Sequence, residues 1–165
     1  MSSKNKLFVA YFDGACYPTN PNGDMGVGAV IYDNMSEPVV LDKQGFFKQK
    51  PSDNWKEVFK YNKFYPFSSG EFKTTTNNVA EYLAFIEICT FFTEKISPDN
   101  TVIICGDSNL VIKQMSGIWG IKEGAYYEYA VKARNLYHSL PQKSKFLSWI
   151  PRELNEIADG LSKLK

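Results

Sequence analysis

LFVAYFDGACYPTNPNGDMGVGAVIYD, residues 7–33, opens on an aromatic and β-branched run that stops at an acid. It then crosses a segment punctuated by Pro18, Pro21 and several glycines, and closes on a second apolar run at 26–33. Two such runs flanking turn residues read as strands joined by a short connection, which makes them antiparallel. Asp13 ends the first run, at a position that packing alone does not require.

Working outward, 38–47 (PVVLDKQGFF) and 70–75 (GEFKTT) are expected to supply further strands, with a polar and aromatic stretch of no clear period between them. From Thr76 the pattern becomes helical. Thr76 or Asn77 can cap a helix whose body, VAEYLAFIEICTFFTEK, is apolar on nearly every face except at Glu81, Glu87 and the last turn, so it is expected to be heavily buried. Pro98-Asp99-Asn100 turns into TVIICGD (101–107), a short continuous apolar run of the kind found in a strand covered on both faces. A helix at 108–116 ends at Gly117, and another at 125–140 stops at Pro141. FLSWI (146–150) reads as a strand, Pro151 as a break and RELNEIADGLSKL as a terminal helix. This order predicts a mixed sheet with helices packed on it.

A chain of 165 residues, 44% hydrophobic, supplies one core, and residues 1–165 are expected to form a single domain. Nineteen basic against eighteen acidic side chains leave a net charge of +1. No broad basic field is available, so a nucleic-acid partner would need local patches or metal ions to neutralise its phosphates. Cys16, Cys89 and Cys105 show no CxxC spacing and read as reduced, mostly buried thiols. The start MSSKNKLFVAYFDG carries no long apolar signal segment, and no run approaches the roughly 18 apolar residues of a membrane span. A soluble, cytoplasmic monomer without a membrane partner is expected.

Four acids stand where burial would not put them: Asp13 and Asp107 at carboxyl ends of strands, Glu81 inside a hydrophobic helix, and Asp159 among Ile157, Ala158 and Leu161. Any one of them alone reads as a strand-end turn or a solvated helix face. Each is also embedded in a distinctive string. YFDGACYPTNPNGDMGVGAVIYD resembles the first strand and hairpin of type 1 ribonuclease H, TTTNNVAEYLAF its glutamate helix, and GDSNLVIKQMSGIW its central strand and following helix. WIPRELNEIADGLS resembles the terminal helix of the histidine-lacking subgroup found in archaea and some bacteria. The resemblance covers roughly residues 7–48 and 70–163.

That resemblance implies an α/β, ribonuclease H-like fold, a mixed five-stranded sheet with helices on both faces. It also implies an endonuclease that cuts the RNA strand of RNA–DNA hybrids and leaves 5′-phosphate ends. The implied cofactor is two Mg²⁺ ions, with Mn²⁺ as a possible substitute. Two such ions about 4 Å apart can activate water and stabilise the leaving oxygen, and hard cations suit a carboxylate cluster. Asp13 would be shared by both ions, Glu81 and Asp107 would complete one site, and Asp159 would hold the other. Without metal, four close carboxylates repel and at least one pKa is expected to rise.

Gly14, Asn20, Thr76, Asn77, Asn78 and Asn109 are the residues implied at the substrate, the asparagines reading 2′-hydroxyls in the minor groove and Thr76 and Asn78 the DNA-strand phosphate. Capping and turn formation are the alternative for each asparagine. The histidine that the best-known members carry ahead of the terminal helix is missing, and His138 reads as a surface helix residue. Arg152 is the candidate for the auxiliary role, with capping or pairing to Glu156 as its alternative. The family's lysine-rich helix is missing too. An insertion at about 48–69, with Lys48, Lys50, Lys56, Lys60 and Lys63 among aromatics, is expected to form a strand extension or hairpin that contacts the nucleic acid. Most of its aromatics are expected to pack a satellite core. Two rivals remain: a resolvase or integrase core, against which TTTNNVAEY and DSNLV speak, and an idle binding domain, against which the complete acid set speaks.

Overall fold

The computed structural model describes residues 5–164. Its five strands, β1 (Leu7–Tyr17), β2 (Asp24–Asp33), β3 (Lys56–Tyr65), β4 (Thr101–Gly106) and β5 (Ser144–Trp149), form one sheet in the order β3-β2-β1-β4-β5. The β3-β2-β1 half is antiparallel, whereas β4 and β5 run parallel to β1. Helices α1 (Asn77–Lys95), α2 (Asn109–Met115) and α3 (Tyr127–His138) pack on one face and α4 (Glu156–Ser162) on the other. This is the expected mixed sheet with helices on both faces.

Alternation along the strands sorts the core into two layers. Phe8, Ala10 and Phe12 of β1 and Val102 and Ile104 of β4 meet α1. Val9, Tyr11, Ile103 and Cys105 face the α4 side. The α1 helix buries Ala80, Tyr82, Ala84, Phe85, Ile88 and Cys89 completely. Each large side chain so buried is worth about 1.5–3 kcal/mol over its exposed state, so this helix is fixed by packing, and Thr76 sets its start by accepting the Val79 N–H at 3.0 Å. Among the described residues no helix is long and apolar enough to cross a membrane. Cys16, Cys89 and Cys105 are buried and unpaired, and His138 is exposed at the end of α3.

The region between β2 and α1 departs from expectation. Residues 38–47 and 70–75 form no strands, and only an isolated Leu41–Phe47 bridge is found in the first of them. The third strand is Lys56–Tyr65, inside the segment read as an insertion. KEVFKYNKFY turns Phe59 and Tyr61 toward α1, Phe59 lying 4.6 Å from Phe91 between ring centroids, whereas Val39, Val40 and Leu41 are all exposed. An apolar run without alternation offers a sheet no single face to bury. The chain between β2 and β3, the loop 34–55, has a packing role. With only seven residues, α4 leaves much of its face bare, and the loop buries Phe47 and Trp55 there. Trp55 Nε1 donates to Glu37 at 2.8 Å. The expected terminal helix also divides, into a 3₁₀ turn at Arg152–Leu154 and then α4.

Two glycines of β2 allow α4 to lie close. A Cβ on Gly26 would stand 1.6 Å from the Ser162 carbonyl oxygen, and one on Gly28 would stand 2.5 Å from that of Ala158. Gly28→Ala is expected to destabilise the fold by about 1–3 kcal/mol through overpacking, measured as a lower midpoint in urea at unchanged slope. An unchanged midpoint would mean that α4 shifts at no cost.

Candidate active site

Asp13 does not end its strand, because β1 continues to Tyr17 against β2. The parallel partner β4 stops at Gly106, opposite Phe12, so Asp13 lies just past the point where the parallel half of the sheet ends, with Asp107 immediately beyond β4. Open sheets place their sites beyond the carboxyl ends of parallel strands. Glu81 comes from the second turn of α1. A Cβ on Gly14 would stand 2.3 Å from the Ala80 carbonyl carbon, so the absence of a side chain there is what lets α1 bring Glu81 up to Asp13.

Carboxylate oxygens of Asp13, Glu81 and Asp107 lie within 4.8 Å of one another. Burial, then the charge of Asp107, pushes Asp13 up to about 7, against the Gly14 N–H that donates to its Oδ1 at 3.0 Å. Burial and the charges of Asp13 and Asp107 hold Glu81 well above the ordinary carboxylate range, and its Oε1 is buried without a hydrogen-bond partner among the described residues. Burial also raises Asp107, with Arg152 and the Asn155 amide pulling the other way. An unpartnered buried oxygen beside two further carboxylates fits a hard cation, which supplies the missing charge and takes oxygen ligands.

Asp159 lies outside this mutually close trio but is hydrogen-bonded to Asp13. It sits on α4 at the rim, where Lys163 Nζ is 2.6 Å and Arg152 3.7 Å from its Oδ1. Burial works to raise its pKa, but the Lys163 hydrogen bond, a further bond with Asp13 and the two cationic charges outweigh burial and lower it. Arg152 therefore pairs with Asp159, not with Glu156.

A cleft of about 470 Å³ joins the four acids, and Gly14, Asn77 and Arg152 line it with them. Asn20, Thr76, Asn78 and Asn109 lie outside its lining. Asn20 and Asn77 hold the β1–β2 connection to α1: Asn20 Oδ1 accepts the Asn77 N–H at 3.1 Å and Asn77 Oδ1 accepts the Cys16 N–H at 2.7 Å. Thr76 is the α1 cap, Asn78 is half-buried in its first turn, and Asn109 is exposed at the start of α2.

Sequence reasoning passed over three neighbours of the acids. Trp149 lines the cleft and donates its indole N–H to the Asp107 carbonyl at 3.2 Å. Asn155, 1% exposed, donates to the Phe12 carbonyl at 2.9 Å, which ties the start of α4 to β1 beside Asp13. Lys163 and Asn155 sit four residues on either side of Asp159, a helical spacing that was the available signal.

Residues 65–165 match the model of the reverse transcriptase-like family. The chain belongs to that family. Its fold is that of type 1 ribonuclease H. It superposes on RNase H1 from the archaeon Halobacterium salinarum with a TM-score of 0.67 at 27% identity over 94% of both chains. LC11-RNase H1, isolated from compost by a metagenomic approach, gives 0.65 at 27% identity, covering 94% of this chain and 91% of that one. LC11-RNase H1 has also been solved in complex with an RNA/DNA hybrid, and that structure matches at 25% identity and a TM-score of 0.62 over 93% and 92% of the chains. The uncharacterised Bacillus subtilis protein YpeP is 35% identical over 92 residues, 56% of this ribonuclease H-type chain and 40% of YpeP.

The buried trio links stability to pH. A carboxyl whose folded pKa lies above its unfolded value binds more protons when folded, so its contribution is present below about pH 4 and is lost as pH rises through about 7. In metal-free protein, Asp13→Asn is therefore expected to raise Tm at pH 7.5 by about 2–5 °C, a gain that vanishes at pH 4. Thermal melts of both proteins in EDTA across that range check this, and a gain independent of pH would refute the electrostatic origin.

Proposed function

We propose that this ribonuclease H-type domain is an endonuclease that hydrolyses the RNA strand of RNA–DNA hybrids. Asp13, Glu81, Asp107 and Asp159 would hold two Mg²⁺ ions, with Mn²⁺ able to substitute. The observation that carries this reading is the convergence of the buried Asp13 and Glu81 and the half-buried Asp107 carboxylates within 4.8 Å, at the end of the parallel strands and beside a cleft open to solvent. The hybrid complex of LC11-RNase H1 supports the substrate class.

Divalent cations, when bound, supply an acidified water and positive charge for the phosphate and the departing oxygen. The chain's own residues do the rest. Gly14 N–H and the Asn155 amide orient Asp13 and Asp107, and α1 packing fixes Glu81, so the oxygen ligands are set before substrate arrives. Hydrolysis adds water across the P–O3′ bond, leaving a 5′-phosphate on one fragment and the proton on the O3′ of the other. Arg152, exposed and only 3.7 Å from Asp159, can turn from that carboxylate to the phosphate or its product. Asn77 lines the cleft, and its side-chain N–H groups have no partner among the described residues, which favours a 2′-hydroxyl contact. Gly14, Asn20, Thr76, Asn78 and Asn109 would complete the hybrid's surroundings. Buried thiols at Cys16, Cys89 and Cys105 suit a reducing, cytoplasmic setting.

Asp13→Asn is expected to lower turnover on a labelled hybrid by at least about a thousandfold while hybrid binding and fold persist. Wild-type-like turnover would sink the metal-dependent reading. Arg152→Ala is expected to reduce turnover by about five- to fiftyfold with metal affinity nearly unchanged. A change below about twofold would leave Arg152 only its ion pair with Asp159.

A further inference from the structure

The lysines between 48 and 63 do not share one surface. Lys56, Lys60 and Lys63 lie on the outer strand β3. Lys60 pairs with Glu57 at 3.4 Å, and Lys63 sits 5.0 Å from the Tyr65 ring and feels the charge of Glu87. None of them lines the acidic cleft. Lys48 is placed differently. It belongs to the loop 34–55, which crosses the α4 face toward β5 and is pinned on both sides of this residue: Phe47 is buried and its carbonyl accepts from Ser148 Oγ, while the Gln49 carbonyl accepts from the Tyr11 hydroxyl. The Lys48 ammonium is thereby held 5.5 Å from the centroid of Trp149, the cleft wall whose indole N–H is bonded to the Asp107 carbonyl.

We propose that Lys48 and Trp149 form a phosphate-binding subsite for the nucleic-acid strand lying in the cleft, on its β5 side. The inference rests on the reading of the cleft as a nuclease site. Three observations carry it. The cleft is acidic, and the cations that line it, Arg152 and Lys163, both pair with Asp159, whereas Lys48 lies outside the lining and brings positive charge to the Trp149 wall from behind, where no other cation pairs with that ring among the described residues. The Trp149 ring, 38% exposed, attracts the ammonium without neutralising it and leaves its donors available. Among the described residues the carboxylate paired with Lys48 is Asp42 at 3.3 Å, which already accepts the Gln44 and Phe46 N–H groups through its other oxygen, so it stays satisfied if the lysine turns to a phosphate. Half-exposed ion pairs of this kind are weak. A flexible ammonium also suits a phosphate met at variable angles better than a guanidinium fork does.

The test compares Lys48→Met, which keeps an apolar stem against Phe46 and Trp149, with Lys48→Arg and with Lys95→Met at the far end of α1. Cleavage of a 5′-labelled hybrid and its equilibrium binding by fluorescence anisotropy are measured across salt concentrations. Lys48→Met is expected to raise KM and Kd on the order of fivefold at low salt, to reduce the salt slope by just under one and to leave kcat within about twofold. Lys48→Arg, which keeps the charge, should keep the wild-type salt slope with a rise in Kd smaller than that of Lys48→Met, and Lys95→Met should match the wild type. Unchanged Kd and salt slope in Lys48→Met would overturn the subsite, as would a fall in kcat at unchanged KM, which would mean that Lys48 only steadies Trp149. The anisotropy data decide the matter separately from the nuclease reading: a chain that binds hybrid through Lys48 without cutting it would refute the activity and keep the subsite.

Discussion

Mutual repulsion among Asp13, Glu81 and Asp107, three carboxylates within 4.8 Å and largely out of water, is the constraint around which the rest of this molecule is arranged. Like charges at this range in a desolvated site resist full ionisation, so the scaffold must hold them by other means. Each acid is fixed from behind by backbone that packing has already immobilised. Asp13 sits on β1 where it is paired with β2, one residue past the end of its pairing with β4, Glu81 rides on a helix buried nearly all round, and Asp107 follows the innermost parallel strand. Close approaches that only glycine permits, Gly14 against α1 and Gly26 and Gly28 against α4, bring the three layers near enough for the acids to meet. The site costs stability locally, and the hydrophobic layers on either side offset that cost.

What could be read from residues 7–33 and 76–107 follows from the strength of their patterns. Long apolar runs with hard stops define β1, β2, α1 and β4, and an acid placed against such a pattern stands out. The third strand did not stand out, because KEVFKYNKFY carries lysines on an edge strand that is solvated on one side. PVVLDKQGFF, richer in β-branched residues, resembled a strand more closely than the real one did. Tertiary packing overrode propensity there: only Phe47 of that run is buried, and it packs on a sheet face that the seven-residue α4 leaves open. Asp13 was legible as a special residue, whereas its true setting, mid-strand beyond the end of a parallel neighbour, depends on strand order that a single sequence does not contain.

The asparagines show a second limit. Their residue types suit both backbone capping and recognition of a hydroxyl, and the structure assigns Asn20 and Asn77 to hydrogen bonds that clamp the β1–β2 connection onto α1. Those bonds do not compete with recognition. They use the side-chain carbonyl of Asn77 and so orient its amide group, and a donor fixed in this way loses little entropy when a partner arrives. Asn155 was passed over because its spacing from Asp159 says nothing of its burial; only the fold shows that it bridges the start of α4 to Phe12 of β1.

The near-zero net charge takes on meaning from this arrangement. A strongly basic surface would bind any polyanion, whereas here the cations near the cleft are few and each has a defined partner: Arg152 and Lys163 at Asp159, Lys48 between Asp42 and Trp149. The interior of the cleft holds carboxyls that burial and mutual repulsion keep from ionising fully, and at the rim the charge of Asp159 is compensated by Arg152 and Lys163. A phosphate strand drawn toward the rim cations therefore arrives beside carboxylates that repel it unless positive charge has first been placed among them. On the proposed reading, that order of events makes the acid cluster a gate for binding as well as the seat of the chemistry, and it explains how a chain with a net charge of +1 can be selective for a polyanion without being generally attractive to one.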